Sequence, residues 1–577
     1  MSRQLPRAGA LPQPDGLTRF ALWAPDARRV DLQLGDGSRL PMQAMDDGWY
    51  SLEIPCAAGS AYRFCIDERL SLADPASRAQ AGGVEADSLV LDHTAYAWQS
   101  REWRGRPWHE TVLYELHVGL FDGFTALLDF LPGLVELGVT AIELMPLGAF
   151  PGRRNWGYDG VLPYAPAAAY GTPENLKRLI DQAHLLGLMV FVDVVYNHFG
   201  PQGNYLGEYA SGFFGEQPTP WGHAIDFARP AVREFFIGNA EMWVRDYRVD
   251  GLRLDAVHAI ADKDFLVELA GRARAAAQGR HLHLVLENED NQASLLRKGF
   301  DAQWNDDLHH VLHHLLTGER EGYYADYAEA TTAKLCACLG EGFVFQGQRD
   351  HRGRARGEPS ADLPPLAFVA FLQNHDQVGN RALGERLVAL SRPERLRVAV
   401  ALVLLAPMVP MLFMGEEWGE RNPFLYFTDY QGELAKAVSD GRRQEFAAFG
   451  RFSGAIPEPN DYETFVASRP RPEHADGNWR AHYRRLLELR HAWLIPRLGG
   501  TRALGAVPLG EAAVSARWRL GDGSLWRIEL NLGSEQVFVE APAAQAQILF
   551  CEGQEVADYR AGRLAPGSLA LSLEESP

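Results

Sequence analysis

Hydrophobic and polar positions change rhythm twice along this chain. From Leu17 to about Leu91, short stretches alternate apolar and polar side chains (Thr18-Arg19-Phe20-Ala21-Leu22-Trp23, Val30-Asp31-Leu32-Gln33-Leu34, Trp49-Tyr50-Ser51-Leu52-Glu53-Ile54) between Gly-Asp and Pro turns. A period of two with one buried face predicts a small antiparallel sandwich, immunoglobulin-like in scale. Past a linker holding Trp98, Trp103, Pro107 and Trp108, near-continuous apolar runs alternate with amphipathic helical stretches. The runs are Val112 to Val118, Val139 to Pro146, Leu188 to Tyr196, Gly251 to Val257, His281 to Glu287, Ala302 to Asp306, Leu366 to Gln373 and Val409 to Met414. Eight such units predict an α/β fold closed into a (β/α)8 TIM barrel, whose parallel strands are buried on both faces and so read as apolar throughout. Alternation returns after Leu494, in Val514 to Trp518 and Leu525 to Leu530, predicting a C-terminal β-sandwich. The expected division is 1–100, 101–493 and 494–577, with an aromatic-rich insertion at 199–230 after the third barrel strand and another at 415–477 after the eighth.

Composition narrows the partners. A chain of 577 residues is too long for one core, which agrees with several domains. Its formal charge of -19 argues against nucleic acid and anionic membrane and is compatible with a neutral polymer. The five cysteines, Cys56, Cys65, Cys336, Cys338 and Cys551, are odd in number and scattered, so no disulfide framework is expected and a reducing cytoplasm fits best. Met1 to Gly16 has no apolar core of signal-peptide length, and no run approaches the roughly 18 apolar residues of a membrane span.

The chemistry starts at Gly251-Leu252-Arg253-Leu254-Asp255-Ala256-Val257-His258. An unpaired Asp inside such a strand costs several kcal/mol, on the order of breaking a buried ion pair. Either Arg253 pairs with Asp255 for structure, or Asp255 faces a cavity where its charge is used. Three more strand-like runs end in polar clusters: Asp193-Val194-Val195-Tyr196-Asn197-His198, Glu287-Asn288-Glu289-Asp290 and Asn374-His375-Asp376-Gln377. In order and spacing, the four runs resemble the signature regions of the α-amylase family of glycoside hydrolases. Phe20-Ala21-Leu22-Trp23-Ala24-Pro25 is similar to the start of the N-terminal domain of its glycogen-acting members, although Trp23 and Trp49 fit a core better than a sugar platform.

Strand ends in such a barrel converge on one face. Adjacent strands lie roughly 4.8 Å apart, so carboxylates ending neighbouring strands can approach the ~5–5.5 Å of a retaining glycosidase. Asp255 is therefore expected to be the nucleophile and Glu287 the general acid and base, with crowding by Asp376 raising the Glu287 pKa. The resemblance makes Asp376 the transition-state stabiliser. It also makes His198 and His375 binders of the sugar being cleaved, and Tyr158 and Asp159 the aromatic and acid that floor and clamp it. Arg253 is expected to keep Asp255 ionised and oriented.

Further stretches, including Pro151-Gly152-Arg153-Arg154-Asn155-Trp156-Gly157-Tyr158-Asp159-Gly160, Trp304-Asn305-Asp306-Asp307-Leu308-His309-His310 and Phe413-Met414-Gly415-Glu416-Glu417-Trp418, resemble one branch of that family. That branch cleaves the α-1,4 bond beside the terminal trehalose of maltooligosyltrehalose. On this likeness the substrate is that or another α-1,4-glucan oligosaccharide. Substrate contacts are expected from His258, Asp306, Asp307, Leu308, His309, His310, Gln377, Asn380 and Glu417. The loop Leu116 to Phe124 departs from the pattern by being short. A glucan branching enzyme shares the three carboxylates and stays open as an alternative; a non-catalytic glucan-binding barrel fits poorly with all three intact.

No cofactor or metal is implied, because carboxylates supply both nucleophile and proton. The run His309-His310-Val311-Leu312-His313-His314, with His281 and His283, suggests zinc by its spacing, but no Cys or Glu completes a ligand set. Asn197 matches a calcium ligand of many amylases, with the remaining ligands not evident.

Overall fold

The computed structural model describes residues 7–219, 221–447 and 456–575. The first six and last two residues of the expected terminal domains, Pro220 of the first insertion and residues 448–455 of the second lie outside the described residues.

Eight parallel strands close into a barrel in chain order: β1 (Leu113–Leu116), β2 (Ala141–Leu144), β3 (Met189–Val194), β4 (Gly251–Leu254), β5 (His283–Leu286), β6 (Ala302–Trp304), β7 (Phe368–Ala370) and β8 (Val409–Phe413). Closure is made by β1 against β8, with Leu113 opposite Met411. Each strand lies inside its predicted run and is shorter, because the polar residues at the C-terminal ends leave the sheet. Alternate strand residues separate into two cores. Leu113, Met189, Phe191, Val285, Trp304, Phe371 and Met411 fill the lumen, while Tyr114, Ile142, Val190, Leu252, Leu284 and Leu412 face the surrounding helices. Gly251 begins β4 because a Cβ there would lie 2.1 Å from the Phe191 ring.

The principal helices are α1 (Leu131–Leu137), α2 (Pro173–Leu185), α3 (Pro230–Asp246), α4 (Lys263–Ala276), α5 (Asp306–Thr317), α6 (Thr331–Glu341), α7 (Pro393–Leu405), α8 (Gly432–Ala447) and α9 (Gly477–Leu489). Local sequence sets their starts. Thr172 and Asn175 cap α2 reciprocally around Pro173, and Asn305 caps α5 by accepting from the Leu308 N–H. Among the described residues no helix is long and apolar enough to cross a membrane.

The N-terminal unit is a sandwich of two antiparallel sheets, one built on Leu17–Trp23 and Trp49–Pro55, the other on Val30–Leu34 and Ala61–Ile66. Trp49 is buried, and Trp23 packs against Phe213 of the insertion after β3, with ring centroids 5.8 Å apart. Both are therefore packing residues. The C-terminal unit is a five-stranded antiparallel sheet with a smaller two-stranded one, and Trp526 joins it to α7 by donating to the Leu405 carbonyl. Cys336 and Cys338 are buried on α6 as packing, and all five cysteines are unpaired.

Candidate active site

The site lies at the C-terminal ends of the strands and is built around Arg253. Its side chain is fully buried, with the guanidinium carbon 4.2 Å above the Trp304 ring of β6. Nη1 reaches Asp193 Oδ2 at 2.7 Å and Asp255 Oδ1 at 2.8 Å, and Nη2 reaches Glu287 Oε2 at 2.8 Å. One guanidinium thus joins carboxylates from the ends of three consecutive strands, β3, β4 and β5. Glu287 also accepts from the Ala256 N–H at 2.9 Å, and Ala256 holds a left-handed conformation (φ 41°) that turns the chain sharply after Asp255. The Arg253–Asp255 pairing is real, and it is not a simple structural pair, since Asp193 and Glu287 share the same guanidinium.

A second group comes from loops. Tyr158 donates to Asp193 Oδ2 at 2.6 Å and stacks on His375, centroids 4.9 Å apart. Gly157 makes this turn because a Cβ would meet the Pro146 carbonyl at 2.3 Å and φ is 108°. His198 donates from Nε2 to the Tyr158 carbonyl at 3.0 Å, leaves buried Nδ1 without a partner, and stacks on exposed Trp221. Asp159 is held by Asn155 at 2.6 Å. His375 is gripped by buried Glu115 of β1, which accepts from both its backbone N–H and its Nδ1.

Asp376 lies beside His375 at the start of a short helix, His375–Gly379, half-buried and bonded to Asn380. Gln377 donates to Asp306 at 3.2 Å, which brings the start of α5 to the same cluster. Arg442 of α8 reaches Asn380 at 3.2 Å and the Gly379 carbonyl at 3.1 Å, so the insertion after β8 braces this wall. Arg154 and Asp429 form an ion pair that ties the Tyr158 loop to the same insertion.

Four expected substrate contacts are corrected. Asp307 turns inward to Asn291, Tyr327, the Val344 N–H and Arg356. Leu308 packs in the apolar core. His309 is bonded to the Leu372 carbonyl at 2.6 Å and is 1% exposed. Glu417 binds Tyr114 Oη at 3.0 Å behind β1, on the helix side of the barrel. Tyr158, Asp159, His258, Asp306, Gln377 and Asn380 keep accessible surface, and His310 keeps 7%.

The histidine run makes no metal cluster: His313 bonds Glu319, His314 bonds the Glu319 carbonyl, and His283 bonds the Arg106 carbonyl at the barrel's other end. Among the described residues no group of three or more His, Cys, Asp or Glu is placed to hold a metal ion. Asn197 is buried with neither amide atom bonded. Sequence reasoning missed Glu115, Asp193, Trp304 and Arg442 as site residues. The first two carried the same signal as Asp255, an acid inside an apolar strand.

Comparison with known proteins bears on this geometry. Family models match residues 7–77 as carbohydrate-binding module 48 (isoamylase N-terminal domain), 105–221 as the alpha amylase catalytic domain, and 501–571 as a domain of unknown function, DUF3459. A malto-oligosyltrehalose trehalohydrolase of Deinococcus radiodurans is 43% identical over 84% of this chain and 83% of its own length. The chain belongs to the malto-oligosyltrehalose trehalohydrolase family. A crystal structure of a candidate alpha amylase from Salmonella typhimurium superposes with this trehalohydrolase-family chain at a TM-score of 0.93, 40% identity and coverage of 98% and 99% of the two chains. A 1,4-alpha-glucan branching enzyme of Pseudoalteromonas atlantica is 33% identical, over 44% of this chain and 40% of its own.

The charge balance of the trehalohydrolase-family site differs from expectation. Burial, then Glu287, push the Asp255 carboxyl well above the usual range, with Arg253 opposing. Burial also works against charge on Glu287, but Arg253 and the Ala256 N–H outweigh it and hold Glu287 low. The expected effect of Asp376 on Glu287 is thus overridden by direct contacts. The two carboxyls are thus shifted in opposite directions in this arrangement, Asp255 up and Glu287 down.

Asp306 offers a pH test. Burial, Glu287 and Asp376 push its carboxyl up to about 8. A carboxyl raised in this way contributes stability that is complete below its unfolded pKa of about 4 and is lost as pH rises through its folded value. Asp306→Asn removes that titration. The Tm of the variant relative to the parent is expected to rise between about pH 5 and about pH 8; a pH-independent difference would contradict the burial of this group.

Proposed function

We propose that this chain hydrolyses the α-1,4 bond next to the terminal trehalose of maltooligosyltrehalose with retention of configuration, releasing trehalose and a shortened maltooligosaccharide. Arg253, in reach of carboxylates ending adjacent strands, carries the mechanism, and likeness to trehalohydrolases carries the substrate. Asp255 attacks the anomeric carbon and forms a glycosyl ester. Glu287 donates its proton to the departing O4 of trehalose, then takes a proton from the water that releases the sugar. For Glu287 to act as the acid, bound substrate must weaken the Arg253 and Ala256 N–H contacts that hold its carboxyl low. Arg253 opposes protonation at Glu287 while favouring the ionised, attacking form of Asp255. Asp376 stabilises the oxocarbenium-like transition state through the sugar hydroxyls, which bring no metal or cofactor into the reaction.

Tyr158 floors the sugar at the cleavage point, clamped by Asp159, His198 and His375. His198, whose Nδ1 is buried and unbonded, has hydrogen-bonding capacity left for a hydroxyl. Trehalose is bent at its 1,1 bond, so hydroxyls of a maltose unit would meet the pocket elsewhere. Polar groups left unpaired by the wrong sugar give discrimination that can reach roughly 10⁴-fold. His258, Asp306, His310, Gln377 and Asn380 are the candidates for it. A reducing cytoplasm suits the five unpaired cysteines.

Asp255→Asn and Glu287→Gln are each expected to lower kcat by at least ~10²–10⁴ with the fold intact by circular dichroism. Azide should partly rescue Asp255→Ala. A variant keeping more than about a tenth of the parent rate would remove that residue from the mechanism.

The substrate reading is tested by giving equal amounts of maltooligosyltrehalose and plain maltooligosaccharide of matched length, and following trehalose, reducing ends and α-1,6 branches. Much faster cleavage of the first, with no branches, is expected. Branched products from amylose would favour the branching enzyme, and equal attack on both sugars would leave a general α-glucan hydrolase.

A further inference from the structure

At the end of the barrel opposite the carboxylates, a cavity of about 560 Å³ opens between the linker before β1, the C-terminal end of α3 and the loop after α4. Five arginines line it: Arg101, Arg104, Arg245, Arg248 and Arg280. In a chain with a formal charge of -19, that is a local reversal of sign.

Two of the five have structural work. Arg280 donates to the Val244, Arg248 and Val249 carbonyls and lies 3.8 Å from buried Asp250. Arg245 is matched by Asp246 in a bidentate pair at 2.7 and 2.8 Å. Arg101 and Arg104 make only long bonds to carbonyls of their own linker, at 3.2 to 3.4 Å. Arg248 donates to the Ser100 carbonyl and rests 5.0 Å over Trp98, and its nearest acids are occupied elsewhere: Asp181 caps Gln99 and Ser100, and Asp250 binds His184, Trp103 and the Val190 N–H. Among the described residues none of these three forms an ion pair.

The cost of this arrangement is visible in the backbone as well. Arg248 has φ 59°, a left-handed conformation that a side chain with a Cβ adopts unwillingly and that glycine or asparagine would relieve. Gln278, on the facing loop, has φ 53°. An arginine held there against its backbone preference, its partial burial and the repulsion of Arg104, with only distant attraction from Asp181 and Asp250, needs a reason in its side chain.

We propose that this pocket binds a phosphorylated small molecule, with the phosphate held by the unpaired guanidiniums of Arg101, Arg104 and Arg248. Planar guanidinium forks match phosphate oxygens bidentately, and a compensating dianion removes the repulsion among them. The volume lies in the range of small-molecule sites and exceeds what bare phosphate fills, so the ligand carries a further body such as a sugar or a second phosphate. No residue of this pocket belongs to the glucan site.

The test is isothermal titration of the full chain with pyrophosphate and with a hexose monophosphate, using sulfate and the unphosphorylated hexose as comparisons. Arg104→Ala lies on an exposed linker, and Arg248→Gly removes the charge while relieving the backbone, so both are expected to keep the parent's Tm and its glucan-cleavage rate. Saturable binding of both phosphates, tighter than sulfate, absent for the hexose and weakened about tenfold or more in each variant, is the expected result. The proposal is overturned if neither phosphate binds, if sulfate binds as tightly, if the bare hexose gives the same heat, or if both variants bind like the parent.

Discussion

Arg253 is fully buried, and three carboxylates, Asp193, Asp255 and Glu287, lie within ion-pair distance of its guanidinium. One positive charge cannot balance three negative ones in a place shielded from water. Burial and this crowding push the Asp193 and Asp255 carboxyls up, while direct contact with Arg253 and the Ala256 N–H holds Glu287 low. The same constraint makes this a poor structural ion pair, and perturbed buried carboxyls gathered at strand ends are what a functional site would hold. Removing Arg253 would leave several buried acids without a counterion, so it is as much a folding residue as a site residue.

The barrel and its insertions serve that constraint by fixing the surroundings. Trp304 supports the guanidinium from below, Tyr158 holds Asp193, and Glu115 holds His375. The loop bearing Tyr158 is pinned by the turn at Gly157 and by Asp429, and the helix bearing Asp376 is pinned by Arg442, so both walls depend on the insertion after β8. Groups placed by packing rather than by flexible loops are those that can keep a productive geometry without reorganising during reaction.

The barrel was legible because parallel strands buried on both faces leave long apolar runs, and each of the eight runs contains one strand. That Asp255, Glu287 and Asp376 lie beyond the C-terminal ends of strands was legible because each follows such a run. What the sequence hid was direction. Asp306 to His310 read as one contact patch, yet they begin a helix with 3.6 residues per turn, so Asp306 and His310 share a face while Asp307, Leu308 and His309 are carried into the packing. Glu417 follows a strand end as Asp255 and Glu287 do, but Gly415 turns the chain and sends it behind β1 to Tyr114. Glu115 and Asp193 were readable by the argument used for Asp255, and Glu143, buried on β2 with both oxygens unbonded, shows how far that argument extends. The direction of the pKa shift on Glu287 depended on one backbone N–H and one Nη2 contact, which no residue pattern encodes.

The central claim is that Asp255 and Glu287, bridged by one guanidinium on adjacent strands, act as a retaining pair. The most direct measurement is proton NMR of the first-formed reducing end during hydrolysis, recorded before mutarotation. With a covalent Asp255 intermediate the new maltooligosaccharide appears first as its α-anomer. Initial formation of the β-anomer would mean direct attack by water with inversion, and would contradict the covalent role of Asp255.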